Sequence, residues 1–158
     1  MVRQFMSRAL RSEIITLVER PSEPISDLEH RRERLSPVPR PGRFVFVPAG
    51  KGQPIDEICH AWVRESEGAS AVVREDDALS LGFEDRPVFG WITLEVESDL
   101  EAVGLTAAVS GALAEAGIPS NLLAGMHHDH VLVPFDERDR ALATLLDLSK
   151  TQKGRQDG

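Results

Sequence analysis

The sequence contains a single cysteine, Cys59. No disulfide can form within one chain, metal sites built on several thiolates are excluded, and a reducing cytoplasm is the expected compartment. No apolar run approaches the roughly 20 residues that a transmembrane helix needs. No h-region with a small-residue cleavage site opens the chain, so neither membrane association nor export is expected. Basic residues are also in short supply: 18 Lys and Arg stand against 26 Asp and Glu, a net charge of -8. That balance repels phosphate backbones and argues against nucleic acid as a partner. There is no nucleophile elbow, and Ser98, Ser110 and Ser120 have ordinary capping or packing explanations. The run Gly50-Lys51-Gly52 lacks both the Walker spacing and a following Lys-Ser/Thr, so it reads as a flexible turn.

What is present is enough for a core. Of 158 residues, 41% are hydrophobic and 28% charged, which fits one ordinary domain or two very small ones sharing a core. The charge is uneven: residues 1–43 hold nine Arg and six acids, whereas residues 44–158 hold nine Lys or Arg and twenty acids. Within the basic leader, Met6, Leu10, Ile14 and Leu17/Val18 recur at helical spacing, which predicts an amphipathic helix, read most simply as an extension ahead of the domain. Pro21 and Pro24 end it, a short charged helix follows over Ser26 to Leu35, and Pro37, Pro39 and Pro41 form a stiff approach to a domain beginning near Gly42.

The pattern then alternates. Arg43 to Val47 and Ser70 to Val73 read as strands, and Ile55 to Glu65 as a helix with Ile58, Cys59 and Trp62 on one face. A short helical turn lies near Asp76 to Leu81, and the longest strand runs from Val88 to Val96. Residues 104–116 form a helix with Leu105, Val109, Ala112, Leu113 and Ala116 as its stripe and Gly117 as its stop. Leu122 to Gly125 and Val131 to Phe135 make a hairpin, and Asp136 caps a last helix with Ala141, Leu142, Leu145 and Leu148 inward. A hairpin combined with helical crossovers requires helices on one face of a mostly antiparallel sheet, and a ferredoxin-like α+β sandwich satisfies both.

Ser98 to Val109, with Leu113 to Ile118 and Asn121 to Gly125, resembles an ACT domain, the small regulatory ligand-binding module. Phe89 to Leu94 and His128 to Pro134 are similar to a bacterial stand-alone family with two ACT-like halves, itself distantly similar to cytosolic arginine sensors and the aspartate kinase regulatory domain. The resemblance implies two tandem ACT-like βαββαβ units. The expected layout is an N-terminal extension over 1–35, a first half over 36–87, a second over 88–149 and a flexible tail over 150–158. It also implies an amino acid bound where a strand-to-helix loop meets a neighbouring unit. The chain carries no kinase or dehydrogenase domain for its halves to control, so no pathway is named.

The residues at that loop support binding in their own right. Gly104 lets backbone approach a ligand, and the free N–H groups of a helix start at Val103, Gly104 and Leu105 favour a carboxylate. Two starts compete, because Ser98 and Glu101 have capping-box spacing. Gly104 also has a packing explanation, close approach of the helix to Trp91. Asn121, Gly125, Asp129, His128 and His130 complete the candidate set, Asp129 as the partner of an amine or guanidinium, with a solvated hairpin tip as the plain alternative. Among His127, His128, Asp129 and His130 only His128 and His130 point one way in extended structure, and a metal needs a further ligand from His60 or His30. No metal, cofactor or catalytic residue is therefore expected.

The expected function is a non-catalytic, cytoplasmic sensor or regulatory module for an amino acid or similar small zwitterion. It is expected to be a homodimer, with a biosynthetic enzyme as a possible protein partner. A protein-interaction or oligomerisation module without a small ligand is the alternative, and a metal-dependent hydrolase centred on the histidines a third.

Overall fold

The computed structural model describes residues 35–50, 55–95 and 104–150. The leader helix, the charged helix up to Arg34, Val103 and the capping pair Ser98 and Glu101 lie outside the described residues.

Six antiparallel strands form one sheet: β1 (Pro37–Ala49), β2 (Ala61–Glu65), β3 (Gly68–Arg74), β4 (Phe89–Leu94), β5 (Asn121–Ala124) and β6 (Asp129–Pro134). The order across it is β2-β3-β1-β4-β6-β5. Four helices complete the fold, α1 (Ile55–Ile58), α2 (Glu75–Ser80), α3 (Leu105–Glu115) and α4 (Arg138–Lys150), with a 3-10 turn at Phe135–Glu137 before α4. Each half runs strand, helix, hairpin, helix, and the two first strands, β1 and β4, pair antiparallel at the centre. The fold is the α+β, ferredoxin-like arrangement, with β4 antiparallel beside β6.

Period-two alternation sends β4 to both faces. Ile92 and Leu94 join Val131, Val133, Leu105, Val109, Leu113, Ala141 and Leu145 in the core beneath α3 and α4. In the other half Val45, Val47, Ala71 and Val73 pack with Ile55 and Ala78. Trp91, Phe44, Val72 and Leu132 form a third cluster on the opposite face. Trp91 therefore points away from α3, and close packing of the helix onto Trp91 does not account for Gly104.

Two sequence expectations are corrected. The helix over Ile55 to Glu65 stops at Ile58, and Ala61–Glu65 is an edge strand hairpinned to β3. Ser66 and Glu67 form a turn, and Gly68 sits at φ +142, the left-handed region that closes it. Ile58 and Cys59 pack against the β1–β3 core, but Trp62 is exposed. The proline run is not an approach but the first part of β1. Ser36 accepts a hydrogen bond from the Glu95 backbone N–H, so even positions face β4, and Pro37, Pro39 and Pro41 turn their missing N–H to the side that β3 does not reach. A shift in register between Arg40 and Phe44, with Gly42 at φ +114, then brings Phe44 between Phe89 of β4 and Arg74 of β3, and the rest of the strand pairs with β3.

Candidate functional site

The crossover from β4 to α3 ends at Gly104, which caps the helix in the left-handed conformation, φ +104 and ψ -23. Ala108 donates to the Gly104 carbonyl, so Gly104 is the cap and its own amide lies ahead of the helix. The competition between two starts is resolved for this helix. It has no side-chain cap and no acidic residue in its first turn, so nothing of its own neutralises the positive end of the dipole there. Leu105 is buried in the core.

The remaining sequence candidates divide between the two faces of the sheet. Asp129 pairs with Leu94 and Ala124, placing it on the helix-covered face. It is the first residue of β6 and half-buried, not a solvated tip; the connection is residues 125–128. Burial raises its carboxyl pKa, and His130 and His128 only partly oppose that. Gly125 donates to the His128 carbonyl at 3.0 Å, and a Cβ there would meet that oxygen at 2.7 Å, so this glycine is explained by the turn itself. His128 has a buried Nδ1 without a partner. His130 pairs with Thr93 and Leu123, which puts it on the opposite face, and its Nδ1 lies 3.2 Å from Thr93 Oγ1. Asn121 is exposed at the start of the β5 edge, across from Leu132 on that same face. Among the described residues no group of three or more His, Cys, Asp or Glu side chains is disposed to hold a metal ion.

A cluster that the sequence reading did not assemble lies around Trp91. Arg40, its direct partner on β1, stacks its guanidinium carbon 5.0 Å from the indole centroid. Phe44 and His130 flank the ring at 5.2 and 5.3 Å, and His60 approaches at 6.2 Å. Burial first, and then Arg40, lower the pKa of both His60 and His130, so both imidazoles are neutral near pH 7. The signal was the alternation of Phe89, Trp91 and Thr93 opposite Ile92 and Leu94. Both faces of β4 carry large apolar side chains, but the prolines of the partner strand that brings Arg40 read locally as a stiff approach and not as a strand.

Residues 23–90 match one ACT-domain family and residues 88–147 match another. A crystal structure of a protein of unknown function from Vibrio cholerae, described as a possible transport protein, is 37% identical, covers 74% of this chain and 92% of its own, and superposes with a TM-score of 0.66. The chain belongs to the ACT-domain family. An Agrobacterium tumefaciens protein shares the fold at 16% identity, 73% and 90% coverage and a TM-score of 0.57. The regulatory subunit of aspartate kinase from Thermus thermophilus does so at 11% identity, 73% and 98% coverage and a TM-score of 0.52. No curated protein matches the sequence. Among the described residues no helix is long and apolar enough to cross a membrane.

Proposed function

We propose that this ACT protein is a non-catalytic regulatory module that binds an amino acid or similar small zwitterion at the β4–α3 crossover. The observation that carries the reading is Gly104 as a left-handed cap without a capping side chain, in front of a helix whose first turn is free of acids. A carboxylate seated there meets the amides of Gly104, Leu105 and Thr106 and the positive end of the α3 dipole. Asp129, on the same face of the sheet, is the group proposed for the ligand's ammonium: a cation restores the ionised form that burial disfavours. On this reading Asn121, His128, Gly125 and His130 frame the hairpin and do not touch the ligand, and the chain acts in the cytoplasm on a biosynthetic enzyme.

The active unit proposed is a homodimer. Strands β2 and β5 are the open edges of the sheet. The outward side of α3 carries Thr106, Ala107 and Ala114, with Glu115 as its exposed charge. Light scattering at tens of micromolar, a working range for weak dimers, checks this: a monomer there contradicts it.

The site is tested by following backbone amides in a 15N spectrum while single amino acids are added. The proposal expects saturable shifts centred on Gly104, Leu105 and Thr106. Shifts absent there but present elsewhere place the ligand at another site.

A further inference from the structure

The face of the sheet opposite the helices holds a donor that the fold leaves without an acceptor. Trp91 is 1% exposed, yet its indole Nε1–H is buried without a hydrogen-bond partner. Leaving a buried donor unpaired is costly, and a native protein rarely keeps such a group without a use. Arg40, stacked on the same indole, forms no ion pair among the described residues. Arg74, over the adjacent Phe44 ring at 5.8 Å, bonds only the Pro41 carbonyl, at 3.4 Å, among the described residues. The carboxylates of this face are occupied or peripheral: Glu65, at the β2 edge, accepts from Ser70 at 2.5 Å, and Glu95 lies exposed beyond the end of β4.

We infer that the Trp91 cluster is a second ligand site, separate from the α3 cap, which takes a small organic carboxylate with a planar apolar body. One carboxylate oxygen accepts from Trp91 Nε1–H, the guanidinium of Arg40 supplies the countercharge, and the flat body takes the place over the indole that Arg40 covers in the free protein, with Phe44 and His130 already packed on the ring and fixing its orientation. Arg40 is the movable part. It is held to the cluster by its stacking on Trp91, an interaction that a charge-assisted hydrogen bond to a carboxylate matches or exceeds. The aromatic wall distinguishes this site from the α3 cap, where the proposed partners are backbone amides and the Asp129 carboxylate.

The test uses the full chain carrying Trp62→Phe, which leaves Trp91 as the one indole, since the sequence has two tryptophans. Benzoate is the probe, with acetate and benzamide as the anion without a body and the body without a charge. The expected result is a saturable downfield movement of the Trp91 indole N–H resonance with benzoate. Arg40→Gln should weaken it at least about tenfold, or about 1.4 kcal/mol, while Gly104→Asn leaves it unchanged. Acetate and benzamide should produce weaker responses than benzoate. An indole resonance that does not move with benzoate overturns the inference, as does a response equal in Arg40→Gln. A response that Gly104→Asn abolishes assigns the benzoate to the α3 cap and likewise overturns it. Because the indole resonance is read before Arg40 is changed, a variant that fails to fold does not blunt the test.

Discussion

Arg40 and Trp91 are direct partners across the β1–β4 pair, and the guanidinium lies over the indole face at 5.0 Å. The same cation helps to lower the pKa of the imidazoles on either side, His60 and His130, although burial is the larger cause for each. Replacing Arg40 by Gln should therefore raise both values without returning them to the ordinary histidine range. An NMR titration of the imidazole protons measures this. Unchanged values would show that the charge of Arg40 is screened from the cluster.

These shifts fix the sign of the pH dependence. A histidine whose pKa is lowered by folding binds its proton more readily when unfolded. His60 and His130 therefore contribute stability that is complete above about pH 6.5 and is lost as the pH falls from there through their lowered folded values. Thermal melts between pH 7.5 and pH 5 should show a declining Tm, and the decline should shrink in the His60→Gln, His130→Gln double variant. An undiminished decline would trace the effect to other groups.

Asp129 has the opposite sign. Its pKa is raised by burial, so its contribution is present below its unfolded value, about 3.9, and is lost as the pH rises through the folded one. At neutral pH the buried charge is a cost. Asp129→Asn should leave the fold intact and raise the Tm at pH 7 while weakening binding of an amino acid through its ammonium. A lowered Tm would show that the carboxylate is already paired in the folded protein.

Two glycines give contrasting expectations. A Cβ on Gly90, in β4, would lie 2.7–2.8 Å from the stem carbons of Arg138 on α4. Gly90→Ala should therefore destabilise the protein by about 1–3 kcal/mol. A Cβ on Gly111, inside α3, meets nothing within 4 Å. Gly111→Ala should stabilise by about 0.5–1 kcal/mol in chemical denaturation. A loss at Gly111 instead would show that this side of α3 is closely covered by another surface, as a second copy of the chain would do.

Much of this fold was legible because period and length agreed. Leu105, Val109 and Leu113 repeat at helical spacing above a clean stop at Gly117, and the structure buries all three. The strand from Val88 is legible to within two residues at its end, because alternation with large side chains on both faces has no helical counterpart. The failures share a different cause. Ile58, Cys59 and Trp62 have helical spacing, but spacing is shared by a short helix running into a strand, and only the Gly68 turn and the pairing of Trp62 with Ala71 decide between them. The prolines at 37, 39 and 41 signal a break in any local reading. Their tolerance in a strand depends on β3 ending at Arg74, short of them, which is a tertiary fact. For the same reason the ligand candidates were found one at a time but not sorted by face. Asp129 and His130 are neighbours in sequence and stand on opposite sides of the sheet.

The central claim is that an amino acid binds at the Gly104 cap. Isothermal calorimetry of the full chain against the twenty amino acids, repeated with Gly104→Asn, tests it most directly. Asn tolerates the left-handed region and places a side chain over the amides. The account predicts that at least one amino acid binds the wild-type chain with an affinity near micromolar, about -8 kcal/mol, and that the folded variant does not bind it. Undiminished binding to the folded Gly104→Asn variant, or no binding of any amino acid to the wild-type chain, contradicts it.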